Sequence, residues 1–217
     1  LHGAEWFCSR GTERSSGTKL PSVSGDCERP GVYEYPFGVS VAQVLEDAGA
    51  RNTIAAQVGG PSGVCLGQDE FTRRIGFEDI ETGGAFMVFD DSRDMLEVAR
   101  HFAHFFAHES CGFCTPCRVG TSLLRNIMDR IRDGKGSQHD LVAIEELGGL
   151  LRGASHCGLG ESASRPLLGT LLRFRPAYER RLESSAVEPA FDLDGALARA
   201  RRMTGRDDEG AHLGEAP

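Results

Sequence analysis

The stretch ESCGFCTPCRVG, residues 109–120, places three of the seven cysteines of this chain at regular intervals. Cys111, Cys114 and Cys117 are each separated by two residues, on what the flanking patterns predict to be a tight loop between two helices. Thiolates are soft ligands that favour Zn, Cu(I) or iron–sulfur clusters. The stretch therefore predicts a metal centre at a helix junction, and with it a helical fold for the second half of the chain.

The spacing of the cysteines distinguishes between kinds of metal site. Zinc sites usually combine two separated C-x2–4-C knuckles, or one knuckle with histidines. Three evenly spaced cysteines in one loop suit three corners of an iron–sulfur cubane, which needs a fourth ligand from elsewhere. Cys157, in SHCGLG between two later helices, is the best candidate because two adjacent glycines let the backbone approach closely. The pattern favours a [4Fe–4S] cluster held by Cys111, Cys114, Cys117 and Cys157, and leaves a zinc site or unligated structural cysteines open.

Helical periodicity surrounds both cysteine segments. In DMLEVARHFAHFFAH an apolar face recurs every three to four residues, after a start at Ser92 and Asp94. TSLLRNIMDRIR repeats the pattern and ends at Asp133-Gly134, and LVAIEELGGLLR and residues 163–183 predict two more helices. The predicted core faces of the first two helices are Met95, Val98, Phe102, Phe105 and Phe106, and Leu123, Leu124, Ile127, Met128 and Ile131. Four amphipathic helices with short connections predict a small bundle.

The first half of the chain has the punctuation of a small mixed fold. Strands are predicted at Leu20–Ser24 and Val32–Tyr35, and again at Thr53–Val58 and Gly84–Phe89. Between them Ser40 caps a short helix, VAQVLEDAGA, that Gly49 ends. The predicted fold class is α+β, with a β-grasp domain over residues 20–85 and a helical iron–sulfur domain over 90–185. Residues 1–19 are expected to form an extended lead-in, and residues 186–217 a polar, loosely held tail.

Composition limits the class of protein. A net charge of −8 over 217 residues, without a basic face, argues against a nucleic-acid partner. No apolar run approaches the roughly 18 residues that a membrane helix needs, and residues 1–20 lack the apolar region of a signal peptide. Clustered cysteines without a secretory signal are more often metal ligands than disulfides. We therefore expect a cytoplasmic protein with no direct membrane insertion.

Several other residues support weaker hypotheses. Cys8, Cys27 and Cys65 stand without partners at metal spacing and are interpreted as buried or idle thiols. A stripe of His101, His104 and His108 favours a solvent-facing or interface role over a second metal site. The loop GGPSG, residues 59–63, favours a simple turn over an anion site made by backbone N–H groups.

Residues beside the cysteines are candidates for supporting contacts to the cluster. His156 could donate to a cluster sulfur, or have a plain surface role. Arg118 could offset the negative charge of a cluster, or form a salt bridge at a helix start. The full set of predicted supporting residues is Ser110, Gly112, Pro116, Arg118, His156 and Gly158.

Motifs of self-sufficient catalysis are missing from the sequence. There is no G-x-G-x-x-G after a strand, no P-loop, no G-x-S-x-G and no convincing acid–base pair. The residues alone thus predict an electron-transfer module without a catalytic residue of its own. The rival class is a non-redox assembly or binding module, with zinc or no metal at the cysteines.

The cysteine segments also carry a family resemblance. ESCGFCTPCRVGT followed by SHCGLG resembles the NADH-binding flavoprotein subunit of respiratory complex I, and more closely the diaphorase subunits of soluble NAD-reducing hydrogenases and NAD-dependent formate dehydrogenases. The similarity continues through GTKLPSVSGDCERPGVYEYPFGVS, QVGGPSG, HFFAHESCGFC and FRPAYERRL, and it covers nearly the whole chain.

This resemblance implies a β-grasp domain of the soluble-ligand-binding type and then a helical bundle with one [4Fe–4S] cluster on Cys111, Cys114, Cys117 and Cys157. In such subunits NADH gives hydride to FMN, and single electrons leave through this cluster toward further iron–sulfur centres. The family's FMN- and NADH-binding domain precedes the region matched here, and residues 1–19 resemble only its exit. The implied partners are therefore a flavin- and NADH-binding domain or chain and other iron–sulfur subunits, and this chain alone is not expected to oxidise NADH.

Overall fold

Short strands of the N-terminal part build a five-stranded mixed sheet in the computed structural model, which describes residues 2–183 and 193–206. In chain order the strands are β1 Thr18–Lys19, β2 Ser22–Gly25, β3 Gly31–Val32, β4 Tyr35–Pro36, β5 Thr53–Val58, β6 Val64–Gly67 and β7 Ala85–Asp90. The sheet has the order β3-β2-β7-β5-β6, and β1 pairs with β4 in a separate ribbon. Only the β2–β7 pair of the sheet is parallel.

One face of this sheet is covered by the short helix α2, Val41–Asp47. The Ser40 hydroxyl accepts a hydrogen bond from the Gln43 N–H at 3.2 Å, which satisfies one of the free donors at the helix start. Gly49 adopts a φ of 68°, the left-handed conformation that ends a helix at little cost. The apolar side of α2 is buried with the inward residues of the strands, and this core includes Val23, Val41, Val44, Leu45, Ala56, Val58, Leu66, Phe86 and Val88.

The observed strands follow the predicted ones with two differences. Predicted Val32–Tyr35 is divided between β3 and β4, which belong to different sheets. Strand β6 was missed, since its four residues follow directly on the GGPSG loop and show no alternation. That loop is the turn between β5 and β6, where Gly59 and Gly60 have φ values of 96° and 69°. The mixed helix-and-sheet architecture is confirmed, and the β-grasp and four-helix assignments stay predictions.

The first long helix, α3, spans Met95–Glu109. Asp94 caps it, because its carboxylate accepts a hydrogen bond from the Leu96 N–H at 3.0 Å. Part of the predicted core face of α3 is wrong. Phe105 was included but is 44% exposed, whereas Leu96, Ala99 and Ala103 were not included and are buried. Each residue turns a helix by 100°, so Phe105 points well away from Phe106, which is fully buried.

Two neighbouring helices complete the centre of the helical part: α4, Thr115–Arg132, and α5, Gln138–Ala154. Helix α4 begins six residues before the predicted segment, since Pro116 lies in its first turn, where a missing N–H costs nothing. Leu123 was predicted in the core but is 43% exposed. A capping box between Ser137 and Asp140 starts α5.

The predicted helix over residues 163–183 is instead a series of short helices. Within that range lie α7 Arg165–Arg173 and α8 Arg175–Glu179, and α6 Gly158–Ser162 comes just before it. Phe174, at φ −121° and ψ 31°, breaks the run between α7 and α8, and Pro176 follows it. Tyr178 then turns back into the core, where its hydroxyl lies 2.7 Å from the Thr170 hydroxyl.

The N-terminal end of the chain departs from the expected picture. Residues 1–19 are not extended throughout, because Gly3–Cys8 form helix α1 and Ser15 is buried. The Ser15 hydroxyl accepts a hydrogen bond from the Phe77 N–H at 2.8 Å, which fixes this segment to the sheet region.

Most of the predicted tail, residues 186–192 and 207–217, lies outside the described residues. Leu193–Thr204 form helix α9 in a separate unit. No helix among the described residues is long and apolar enough to cross a membrane.

Candidate metal centre

The CxxCxxC segment lies across the junction of α3 and α4. Ser110 ends α3, Gly112 makes the turn with a φ of 78°, and Cys114 is the residue that immediately precedes the first turn of α4. The three cysteines were predicted on a loop, which is correct for Cys111 and Cys114 but wrong for Cys117, since that residue lies inside α4. Helical geometry therefore fixes the position of the third thiol.

Cys157 reaches the same place from a second helix junction. It follows α5 and precedes α6, so the two cysteine segments occupy neighbouring helix junctions. A Cβ added at Gly160 would lie 2.4 Å from the Ser155 Oγ and 3.1 Å from the Cys117 Cβ. Gly158, by contrast, has open space where a Cβ would be. Of the two glycines predicted to allow close approach, Gly160 is the one that does so.

All four cysteines line one cavity of about 100 Å³. Cys114 and Cys117 are buried at 9% and 4% exposure, whereas Cys111 and Cys157 are exposed. The remaining lining residues are Glu109, Ser110, Phe113 and Leu159. The cavity is thus embedded in the helical core on one side and open to the surface on the other.

Polar groups lie next to two of the thiols. The Ser110 Oγ lies 3.3 Å from the Cys117 Sγ, within hydrogen-bonding distance. Hydrogen bonds from the backbone N–H groups of His156 and Cys117 lower the pKa of the Cys114 thiol. Because the thiolate is the form that ligates metals, these donors favour the ligating state.

The donor atoms and the size of the cavity bear on which metal group it could hold. Four thiolates that bind one zinc must meet at a point about 2.3 Å from each sulfur. Among the described residues no group of three or more His, Cys, Asp or Glu side chains converges in that way. The four cysteines instead surround a space that exceeds the ~30 Å³ of one water molecule. A pure cysteine donor set around such a space fits an iron–sulfur cluster.

The structure gives the predicted supporting residues different roles. Arg118 donates to the Gly112 carbonyl at 2.7 Å and to the Thr115 hydroxyl at 3.3 Å, so it braces the CxxC turn. His156 contributes its backbone N–H, and its ring packs edge-on against Phe113 with centroids 5.8 Å apart. The sequence reasoning missed Phe113 and Leu159, although both lie within the quoted motifs.

The remaining candidate ligands are not gathered into a site. His104 pairs with Asp129 at 2.8 Å and His108 with Glu109 at 3.0 Å. Cys8 is exposed and Cys27 half-buried. Cys65 is buried, and desolvation raises the pKa of its thiol to about 11, which keeps it protonated and unreactive.

Comparison with known proteins places this geometry in a family. Residues 97–181 match the NADH-ubiquinone oxidoreductase-F iron–sulfur binding region. The NAD-reducing hydrogenase HoxS subunit alpha of Cupriavidus necator is 42% identical over 198 residues, which cover 90% of this chain and 33% of that protein. The mitochondrial NADH-ubiquinone oxidoreductase 51 kDa subunit of Neurospora crassa is 31% identical over 218 aligned positions, which cover 94% of this chain and 44% of that protein.

A solved structure is similar to this chain over nearly its whole length. The NAD+-reducing [NiFe]-hydrogenase in the H2-reduced state contains a chain that is 44% identical, with a TM-score of 0.82. That match covers 98% of the present chain and 38% of the hydrogenase chain. The present chain therefore spans between a third and a half of the length of the relatives it matches.

Proposed function

We propose that this chain, whose residues 97–181 belong to the iron–sulfur binding region of the NADH-ubiquinone oxidoreductase-F family, is the electron-transfer module of a diaphorase-type flavoprotein subunit. It would relay single electrons through one [4Fe–4S] cluster, between FMN on another domain or chain and further iron–sulfur centres. The observation that carries the proposal is the convergence of four cysteines from two helix junctions on one cavity.

In this proposal Cys111, Cys114, Cys117 and Cys157 hold the cluster. When bound, such a cluster supplies a one-electron carrier whose potential depends on burial and on hydrogen bonds to its sulfurs. The chain provides both: the helical core buries Cys114 and Cys117, and Ser110 lies within hydrogen-bonding distance of the Cys117 sulfur.

The exposed side of the cavity suits contact with an electron donor or acceptor. Cys111 and Cys157 are exposed there, and Phe113 is 78% exposed beside them. A relay needs a neighbouring redox group rather than a substrate pocket, which agrees with a site that has cysteine donors and no acid–base pair. The partners would be a flavin- and NADH-binding domain or chain and other iron–sulfur subunits of a multi-subunit oxidoreductase, and no catalytic residue is assigned to this chain.

Anaerobic reconstitution tests the proposal. We expect a brown protein whose visible absorbance bleaches with dithionite and whose reduced form gives an EPR signal typical of a one-electron iron–sulfur centre. If the protein binds one zinc and no iron and gives no EPR signal after reduction, it is an assembly module and the proposal is wrong.

A further inference from the structure

A second cavity, on the side of the helical part that faces the sheet, collects arginines. It measures about 280 Å³ and lies between β6 and helices α5, α6 and α7. Four arginines line it, Arg73 after β6, Arg152 on α5, and Arg165 and Arg173 on α7. We call it the arginine cavity; the proposed function makes no use of it.

Two of the four arginines are already paired. Glu70 forms an ion pair with Arg173, whose Nη2 donates to the Glu70 Oε1 at 2.7 Å, and Glu70 also contacts Arg73 at 3.4 Å. Arg73 further pairs with Asp79 at 2.8 Å. These partners hold the two guanidinium groups in place but leave part of their donor capacity free, since each guanidinium has five N–H donors.

The other two arginines have no carboxylate partner in the described part of the chain. Arg165 donates one long hydrogen bond, 3.4 Å, to the Ser62 carbonyl, and Arg152 makes no ion pair among the described residues. Glu161 is the acidic residue that lines the cavity, and it too makes no ion pair there. The lining of the cavity thus holds four arginines and one acidic residue, Glu161, while Glu70, Asp79 and Asp69 act on Arg73 and Arg173 from outside the lining.

A buried hydroxyl in the cavity adds a polar contact for a ligand. Ser164 is 2% exposed and lines the cavity, and its Oγ makes one hydrogen bond, to the Gly148 carbonyl at 3.5 Å. Ser164 also precedes the nine-residue helix α7 without capping it. Helix α7 begins at this end of the cavity, and the first turn of a helix carries partial positive charge, although its second residue, Pro166, has no N–H to donate.

We propose that the arginine cavity binds a small phosphoryl dianion. The planar guanidinium fork matches phosphate oxygens in a bidentate manner, and a charge-assisted pair of this kind is stronger than a neutral hydrogen bond. The volume of about 280 Å³ lies at the lower end of small-molecule sites, which suits inorganic phosphate or a small organic phosphate. A bound dianion would connect Arg152 on α5 with Arg165 on α7, and would stabilise the contact between these helices and β6.

Binding is measured on the full reconstituted chain. Calorimetric titrations with inorganic phosphate and with glycerol 3-phosphate, each at the same ionic strength set by sodium chloride, are expected to saturate. Thermal unfolding is expected to shift upward with the same concentration dependence, because a ligand of the folded state stabilises it. Tighter binding of inorganic phosphate identifies the ligand as free phosphate, and tighter binding of glycerol 3-phosphate identifies it as a small organic phosphate.

The double variant Arg152→Gln/Arg165→Gln tests the assignment. Both side chains are on the surface, so the fold should survive, and we expect Kd to rise at least about tenfold. Arg14→Gln/Arg180→Gln is the matched control, since it removes the same charge from exposed positions that do not line the cavity and should leave Kd unchanged. The absence of saturable binding to the unaltered chain, or an equal loss in both double variants, overturns the proposal.

Discussion

At the thiol of Cys117, the Ser110 hydroxyl lies 3.3 Å away, and it is the side chain best placed to tune the proposed cluster. A hydrogen bond to a ligating sulfur stabilises the reduced, more negative state. We expect Ser110→Ala to lower the midpoint potential by roughly 20–60 mV, since one hydrogen bond contributes about 0.5–1.5 kcal/mol and a tenfold effect equals 59 mV for one electron.

An EPR-monitored redox titration measures this shift. Ser122→Ala is the matched control, because the Ser122 hydroxyl is on α4 and donates to the Arg118 carbonyl rather than to a thiol. Equal potentials for the unaltered protein and Ser110→Ala would show that this hydroxyl does not act on the cluster.

Gly160 tests how closely α6 must approach the cysteines. In Gly160→Ala the added Cβ would collide with the Ser155 side chain and crowd the Cys117 Cβ, so α6, Ser155 or Cys117 must move. We expect a loss of about 1–3 kcal/mol in unfolding free energy together with a lower iron content. Urea unfolding and iron analysis measure the two effects.

Gly158→Ala provides the comparison within the same helix. The space around its Cβ is open, so stability and iron content should stay close to those of the unaltered chain. If Gly160→Ala behaved like Gly158→Ala, close packing of α6 would not be what places Cys157.

At the scale of elements, the ion pair between Glu70 and Arg173 joins the sheet region to α7. Hydrogen bonds from Arg173 lower the pKa of Glu70 from 4.5 to about 2. Because the pKa is depressed in the folded state, the ionised carboxylate stabilises the fold above pH 4.5, and this contribution is lost as the pH falls toward 2. Both side chains are partly exposed, so solvent screening limits this contribution to on the order of 1 kcal/mol.

The difference in unfolding free energy between the unaltered chain and Glu70→Gln should therefore be largest near pH 7 and shrink below pH 4.5. Urea unfolding across this range measures it, with Glu145→Gln, an exposed site on α5, as the control. A difference that does not change with pH would contradict the assignment of the ion pair.

Much of the secondary structure could be read from local patterns, and the failures have physical causes. Strand β5 matches its prediction because a run of six residues is bounded by turn formers, whereas β6 has four residues and no alternation. The start of α4 was placed too late because the cysteine spacing suggested a loop, although proline is well tolerated in a first helical turn. The pattern of 3.6 residues per turn located the helices but did not show that Phe105 and Leu123 would be on the surface.

The cysteine set could be proposed from sequence because its spacing and chemistry are local. The cavity around the cysteines could not be predicted, because it depends on the tertiary packing of two helix junctions that are distant in sequence. Gly160 illustrates this: the sequence predicts that two glycines beside Cys157 allow a close approach, but only the packing of α6 against Cys117 shows that Gly160 is the one required. The arginine cavity likewise combines residues from β6 to α7 that no motif connects.

At the scale of the whole molecule, the chain should accept electrons without oxidising NADH itself. The chain spans between a third and a half of the length of the relatives it matches. Its described residues include the cysteine site, and its sequence contains no nucleotide-binding motif. We expect no NADH-dependent dye reduction by the chain alone, while dithionite reduces its cluster. Dye reduction by NADH without an added flavoprotein would contradict this division of roles.

The most direct test of the central claim is the iron and sulfide content of a cysteine-to-serine series. We predict about four iron and four sulfide per chain for the unaltered protein and for Cys8→Ser, whose thiol is exposed and remote from the cavity motif. Cys157→Ser should lose most of its iron and its EPR signal while the helical content measured by circular dichroism is retained. A Cys157→Ser protein with full iron, full sulfide and an unchanged EPR signal would contradict the claim that the two helix junctions hold one cluster together.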